Sequence, residues 1–448
     1  MLMKYKAILL FAFLLSVTAA EAQITERQRP AAWANLVPGA RFMDRFLPME
    51  GSDLRSEVWG TDSVRPRLVD NVIDDAQWSY WGGNIIKGDD GLWHQFVAAW
   101  PEGAKKGHME WPRSWVIHAV GPTMHGPFRP RQVVGKGHNP EVYRAADSTW
   151  VVYVIDGRYT SKSLDGPWEY GKFDFDPQGR KIIEGLSNLS FARRADGSYL
   201  MVCRGGGIWV SDDGLSTWRQ MSDGSVYPKV EGRFEDPVLW RDSVQYHLIV
   251  NDWLGRIAWY LRSGDGLHWT VDEGEAYMPG IARHKDGTQE HWFKYERMRI
   301  VQDAEGRAVQ ANFAVIDTIK WDDKPFDRHS SKNICIPLDP GLLLAMEAGK
   351  SEKRKEKNIT LRIRAEEGFL PQRDLDLTTL RFGSPHTVDY GGGARPVSSR
   401  TDGDDLLMTF RTKDTALADD DFAAKLLVRR IDTGRTTFGF VRIKHKAK

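Results

Sequence analysis

The residues best suited to chemistry lie in the middle of the chain, and their spacing gives each a different setting. Asp236 stands between Glu235 and Pro237. Adjacent strand residues point to opposite faces, so Glu235 and Asp236 do not both face one cavity; Asp236 is the expected base or nucleophile, and Glu235 a group that orients it. Glu141 lies two positions past Asn139, on the same side of its strand and deeper. Burial there disfavours the charged form and suits a proton donor, the alternative being a structural carboxylate paired with a neighbouring strand. His138 opens the same segment and suits an acid, a base or a hydrogen-bonding group. Asp236, Glu141 and His138 are the expected catalytic residues.

A second group is suited to binding. Arg158 and Arg204 follow the apolar runs 151–155 and 199–203, and Arg256 has a similar place further on. Guanidinium groups that converge on one cavity bind carboxylate or sulfate in bidentate fashion. The alternative is that they neutralise Asp156, Glu235, Asp252 and Glu290. Asp252, His291, His108 and Trp81 complete the expected substrate contacts. The stretch 105–111 reads as a lid. His108 and Glu110 within it lack the compact spacing of a metal site, so neither metal nor cofactor is expected.

These residues need a scaffold that gathers them, and the chain repeats itself in a way that supplies one. Short strand openings recur at 83–86, 138–142, 187–191, 235–239 and 291–295. That period, roughly 50 residues, is the length of one four-stranded propeller blade. Acidic turns follow at Asp89-Asp90-Gly91, Asp147-Ser148, Asp196-Gly197, Asp242-Ser243 and Glu305-Gly306. Outer turns recur as Gly126-Pro127-Phe128, Asp165-Gly166-Pro167-Trp168, Asp213-Gly214-Leu215 and Asp265-Gly266-Leu267. Asp-Gly favours tight hairpins because Gly tolerates positive φ. Blade strands alternate in direction, so the openings and the loops between second and third strands share one face around the axis, and the acidic turns fall on the other. Aligned on their polar residue, the first four openings read Asn84, Asn139, Asn188 and Asp236.

The fold class expected is all-β, a five-bladed β-propeller followed by a small C-terminal β-sandwich. Residues 1–22 have the layout of a secretory signal peptide: Lys4 and Lys6, an apolar run, then Ala20 and Ala22. Residues 23–73 are expected to wrap the first blade, 74–340 to form the propeller, 341–358 to be a charged linker, and 359–448 the sandwich. Lys plus Arg (62) nearly equals Asp plus Glu (61), which lacks the cationic field that nucleic acid requires. No stretch after the leader is apolar enough to span a membrane. With only Cys203 and Cys335 there is no disulfide framework. Eighteen Trp offer aromatic faces for blade packing or for stacking on sugar.

The five repeats, the Asp236-Pro237 opening and the Asp-Gly turns closed by Trp resemble the five-bladed β-propeller glycosidases of families 43 and 32, of the kind found in bacterial polysaccharide utilisation. The resemblance covers about 74–337. It implies carboxylates on the inner strands of the first three blades, one nucleophile or base, one stabiliser and one acid. The openings here carry Asn84, Asn139 and Asn188 instead, and only Asp236, with Glu141 at an offset, keeps the chemistry. Asp75 is the expected substitute for the missing first acid.

The expected function is a secreted or periplasmic glycoside hydrolase acting on an acidic plant or algal oligosaccharide, uronate-containing or sulfated. A uronate lyase or dehydratase is the alternative, in which arginines neutralise the substrate carboxylate and His138, His291 or Tyr80 removes a proton. A carbohydrate-binding protein without catalysis is the third reading.

Overall fold

The computed structural model describes residues 27–50, 71–290, 292–326, 331–347 and 357–443. The expected signal peptide, the centre of the expected linker and His291 lie outside the described residues.

The described chain is all-β and built from small antiparallel sheets. Five of them follow one another along the chain, each laid down in sequential order. Their innermost strands are Trp78–Lys87, Glu141–Arg144, Ser190–Arg193, Phe234–Arg241 and Lys294–Gln302. The fifth has three strands, and the third gains Phe175–Asp176 as a parallel edge strand. The first hairpin of each sheet is set by the same device. An aspartate accepts the backbone N–H two residues on: Asp90 from Leu92 (3.0 Å), Asp147 from Thr149 (2.9 Å), Asp196 from Ser198 (3.0 Å), Asp242 from Val244 (2.7 Å) and Asp303 from Glu305 (3.0 Å). Asp does this because its short acceptor mimics a backbone turn.

Apolar cores lie between each neighbouring pair of sheets. Phe96 and Val152 join the first and second, Tyr153 and Met201 the second and third, and Val202 and Leu248 the third and fourth. Ile249 and Phe313 join the fourth to the fifth, and Val97 with Val301 closes the first onto the fifth. The arrangement is therefore cyclic and propeller-like. Among the described residues no strand ladder joins one of the five sheets to the next. Burial of such side chains, about 1.5–3 kcal/mol each, is a main part of what holds them.

Residues 27–50 differ from expectation. They pack on the fourth and fifth sheets rather than the first: Phe42 meets Trp240 and Tyr260, Trp33 meets Trp259, and Phe46 bridges to Leu338. Val72 and Ile73, just past the next undescribed stretch, pack into the core of the first sheet, and the Val72 carbonyl accepts from Phe128 N–H (2.8 Å).

Two further sheets follow, one containing Asn358–Ile363, Pro396–Asp402 and Asp405–Arg411, the other Leu375–Gly383, Ala423–Arg430 and Thr436–Arg442. Their inner faces share one core that includes Leu361, Met408, Phe382 and Leu426. Arg307 ties this unit to the fifth sheet through both Glu366 oxygens (2.9 and 2.6 Å).

One backbone feature recurs five times around the axis. Gly82, Asn139, Asn188, Asp236 and Arg297 all have positive φ, at 65°, 57°, 50°, 55° and 51°. In the first, fourth and fifth sheets this residue begins a bulge with one extra residue on the inner strand, between Trp81 and Asn84, Glu235 and Val238, and Glu296 and Arg299. Asn and Asp tolerate this region best after Gly, so the repeated Asn/Asp is first of all a backbone requirement. The structural alignment corrects the sequence alignment. Gly82, not Asn84, matches Asn139, Asn188 and Asp236, and the fifth opening is Glu296-Arg297 rather than 291–295. Glycine is required at the first bulge, because a Cβ on Gly83 would lie 1.9 Å from the Phe96 carbonyl oxygen.

Candidate active site

Three tiers of equivalent residues line the axis. The deepest is Asn84, Glu141, Ser190, Val238 and Arg299, two residues past the left-handed position. These are ties between sheets. Asn84 exchanges two hydrogen bonds with the Val142 backbone, both 2.8 Å. Glu141 accepts from Phe191 N–H (2.9 Å) and Ser190 Oγ (3.2 Å), and pairs with Arg299 at 2.8 Å. Burial pushes the Glu141 carboxyl up while Arg299 pulls it down. Its contacts run to the third and fifth sheets, the pairing with neighbouring strands that a structural carboxylate makes.

The middle tier is the ring of left-handed residues. Asn139 Nδ2 donates to Asn188 Oδ1 (2.7 Å), Asn188 Nδ2 to Asp236 Oδ1 (3.0 Å), and Arg297 to Asp236 Oδ1 (2.8 Å). The Arg297 side chain lies over Gly82, whose missing Cβ leaves it room. Asp236 is thus buried, neutralised and fully engaged, which departs from the expectation of a base or nucleophile open to substrate.

The uppermost tier is the mouth: Trp81, His138, Ser187, Glu235 and Glu296. Here Glu235 and His138 are less committed. Glu235 is half-buried and meets Arg204 at 3.4 Å. Burial and the neighbouring Asp236 push its carboxyl up, against Lys320 and Arg204. Glu296 is buried between Lys294 (3.0 Å) and Lys320. Burial alone would raise its carboxyl, but the two lysines outweigh it and hold the group well below the usual carboxylate range. Lys320 comes from the loop between the second and third strands of the fifth sheet, and it also covers the Trp81 ring at 5.2 Å.

His138 Nδ1 is 2.9 Å from Ser114 Oγ. Ser114 Oγ also lies 2.8 Å from the Trp111 carbonyl and 2.9 Å from that of Gly137. With its one proton given to a carbonyl, Ser114 accepts from Nδ1–H, and Nε2 is left with the lone pair. Burial, then Arg297, His108 and Lys320, hold His138 well below its ordinary value, so the ring is neutral. His108 is likewise neutral through burial and Lys320. It bonds Ser331 Oγ at 2.9 Å and packs edge-on to Trp81 at 4.4 Å. Glu110 pairs instead with Arg113.

The remaining expected residues divide. Arg204 is at the mouth. Arg158 is not: its guanidinium donates to the Leu215 carbonyl (2.7 Å) and lies over Phe173, between the second and third sheets. Arg256 donates to the Phe293 carbonyl (3.0 Å) and stacks on that ring. Asp252 is a loop brace, accepting from Arg27 (2.7 Å), Arg233 N–H (3.1 Å) and Gly255 N–H (3.2 Å). Trp81 is 1% exposed, so it forms a wall rather than a stacking platform. Tyr80 is buried and bonds Asp75, which also caps the Gln77 and Trp78 backbone; neither faces the mouth. Sequence reasoning missed Glu296, Lys294, Lys320 and Arg297. Aligning Glu296-Arg297 with Glu235-Asp236 as repeated pairs of charged residues is the signal that would have found the first and last.

No family model matches the chain, and no curated protein matches it in sequence. Among solved structures it resembles glycoside hydrolases. With a family 117 glycoside hydrolase from the marine bacterium Zobellia galactanivorans it shares 10% identity over 66% of this chain and 89% of that one, at a TM-score of 0.42. With an α-L-arabinofuranosidase from Lactobacillus brevis the figures are 9%, 59%, 92% and 0.41. With a thermostable family-43 glycoside hydrolase they are 13%, 63%, 96% and 0.37.

Proposed function

We propose that this chain is a secreted glycoside hydrolase acting on an acidic oligosaccharide, that its five cyclic sheets are propeller blades, and that its two C-terminal sheets form an accessory sandwich. The observation that carries the activity is the pair Glu235 and Glu296. They occupy equivalent positions on neighbouring inner strands, and their surroundings push them in opposite directions. Carboxyls separated in this way divide the labour of glycoside hydrolysis. Glu235 keeps its proton and gives it to the leaving oxygen. Glu296 stays ionised and offsets part of the charge of Lys294 and Lys320 beside the developing oxocarbenium ion; a water then bonds to the anomeric carbon and gives its proton to the Glu235 carboxylate, which restores the acid. Arg204 and Lys320, both partly exposed at the mouth, suit a substrate carboxylate or sulfate.

Incubation with uronate-containing and sulfated oligosaccharides tests this. New reducing ends without the ultraviolet absorbance of an unsaturated uronate are expected, and they should be lost in Glu235→Gln.

One observation favours elimination as a second reading: His138 is neutral, with Nε2 free of any partner among the described residues, and sits near the cations that would acidify a uronate. An unsaturated product lost in His138→Gln, and kept in Glu235→Gln, would establish that reading and remove the first.

A further inference from the structure

The face opposite the mouth carries a second ring. Five residues past Gly82, Asn139, Asn188, Asp236 and Arg297 in the five inner strands stand Lys87, Arg144, Arg193, Arg241 and Gln302. Four of the five are cations, and all five line one axial cavity of about 830 Å³. Each cation is held against the aromatic residue directly opposite on the next strand: Lys87 over Trp93 (5.9 Å), Arg144 over Trp150 (5.1 Å), Arg193 over Tyr199 (6.0 Å) and Arg241 over Tyr246 (5.8 Å).

Charge in this cavity is not balanced. Arg144 meets Asp89 at 3.4 Å, but Lys87, Arg193 and Arg241 have no carboxylate partner among the described residues. The two acids in the lining are already committed, Glu141 to Arg299 (2.8 Å) and Asp303 to Arg307 (2.8 Å). Lys87 and Arg193 are exposed and Arg241 half-buried, so their charged ends are open to a ligand. A stack on an aromatic face limits the freedom of a long cationic side chain, and little further ordering is then needed when an anion arrives. The volume is that of a small-molecule site.

We propose that this cavity binds a compact polyanion, a molecule presenting several sulfate, carboxylate or phosphate groups at once, at a site separate from the mouth. Several cations converging on one space favour multivalent over monovalent anions, since each charge-assisted contact is worth about tenfold in affinity. The proposal does not depend on the activity assigned above.

The test is calorimetric titration of the full chain with three probes: a sulfated tetrasaccharide, inositol hexakisphosphate and inorganic sulfate. One polyanion per chain should bind, weakening as salt is raised, while inorganic sulfate does not compete. Binding of only the sugar identifies a glycan ligand, and binding of only the inositol compound a phosphorylated one; either supports the shared chemistry. Arg193→Gln with Arg241→Gln should weaken binding by about a hundredfold and Lys87→Gln alone by about tenfold, with thermal midpoints unchanged because none of these side chains is fully buried. Binding should also quench the fluorescence of Trp93 and Trp150 beneath the ring. The proposal is overturned if neither polyanion binds, if the double variant binds as tightly as the parent, or if Arg204→Gln at the opposite mouth abolishes binding.

Discussion

Arg297 and Asp236 form a buried ion pair at 2.8 Å in which each residue holds the left-handed position of its own inner strand. The pair joins the fourth and fifth sheets across the axis, and Asn188 shares the same Asp236 oxygen. A carboxylate bound in this way keeps sheets together.

Removing it should therefore cost stability. Asp236→Ala leaves Arg297 buried without a counter-charge, a loss of about 3–5 kcal/mol. Urea unfolding measures this. An unchanged midpoint together with lost turnover would return Asp236 to the chemical role its sequence context suggests.

Glu235→Gln should leave folding intact and lower turnover by about 10²–10⁴-fold, the range for a general acid. Burial and the neighbouring Asp236 raise the Glu235 carboxyl, so parent activity is present below its raised value and falls as pH rises through it. The glutamine variant should lack that alkaline limb. A limb that persists in the variant's pH profile would assign the proton to another group.

Glu296 has the opposite linkage. Its folded value lies below the unfolded one, so its stabilisation is complete above the unfolded value of about 4.3 and is lost as pH falls below it. Glu296→Gln strands Lys294 and Lys320 and should cost several kcal/mol at neutral pH, by analogy with about 3–5 kcal/mol for a broken buried pair. The gap between parent and variant midpoints should narrow on acidification. A gap independent of pH would contradict this account.

Arg204→Gln should raise KM for an acidic substrate by about tenfold, the worth of one charge-assisted contact, and leave kcat and the KM for a carboxyl-reduced analogue unchanged. Equal losses on both substrates would show that Arg204 serves Glu235 rather than the ligand.

Much of the scaffold is legible in the sequence because turns are local. Asp90, Asp147, Asp196 and Asp242 act through bonds to residues two positions away, so the hairpins can be read directly. The strands Asn358–Ile363, Asp405–Arg411 and Thr436–Arg442 are likewise marked by their flanking turns, while Pro396–Asp402, a polar edge strand, gives no such signal. The site is less legible for two reasons. Asn139, Asn188 and Asp236 carry a residue type that both catalysis and a left-handed backbone favour, and here the backbone explains their recurrence. Arg297 takes the same conformation without being a residue type that announces it, which hid the register of the fifth inner strand and with it Glu296. Lys320 arrives from a distant loop, and Arg158 and Asp252 are diverted by partners such as Leu215 and Arg27 that no periodicity places beside them.

The bonds linking Asn139, Asn188, Asp236 and Arg297 also act as a septum. It closes the axis between the mouth and the cavity on the opposite face. A polymer therefore cannot thread along the axis from one side of the molecule to the other.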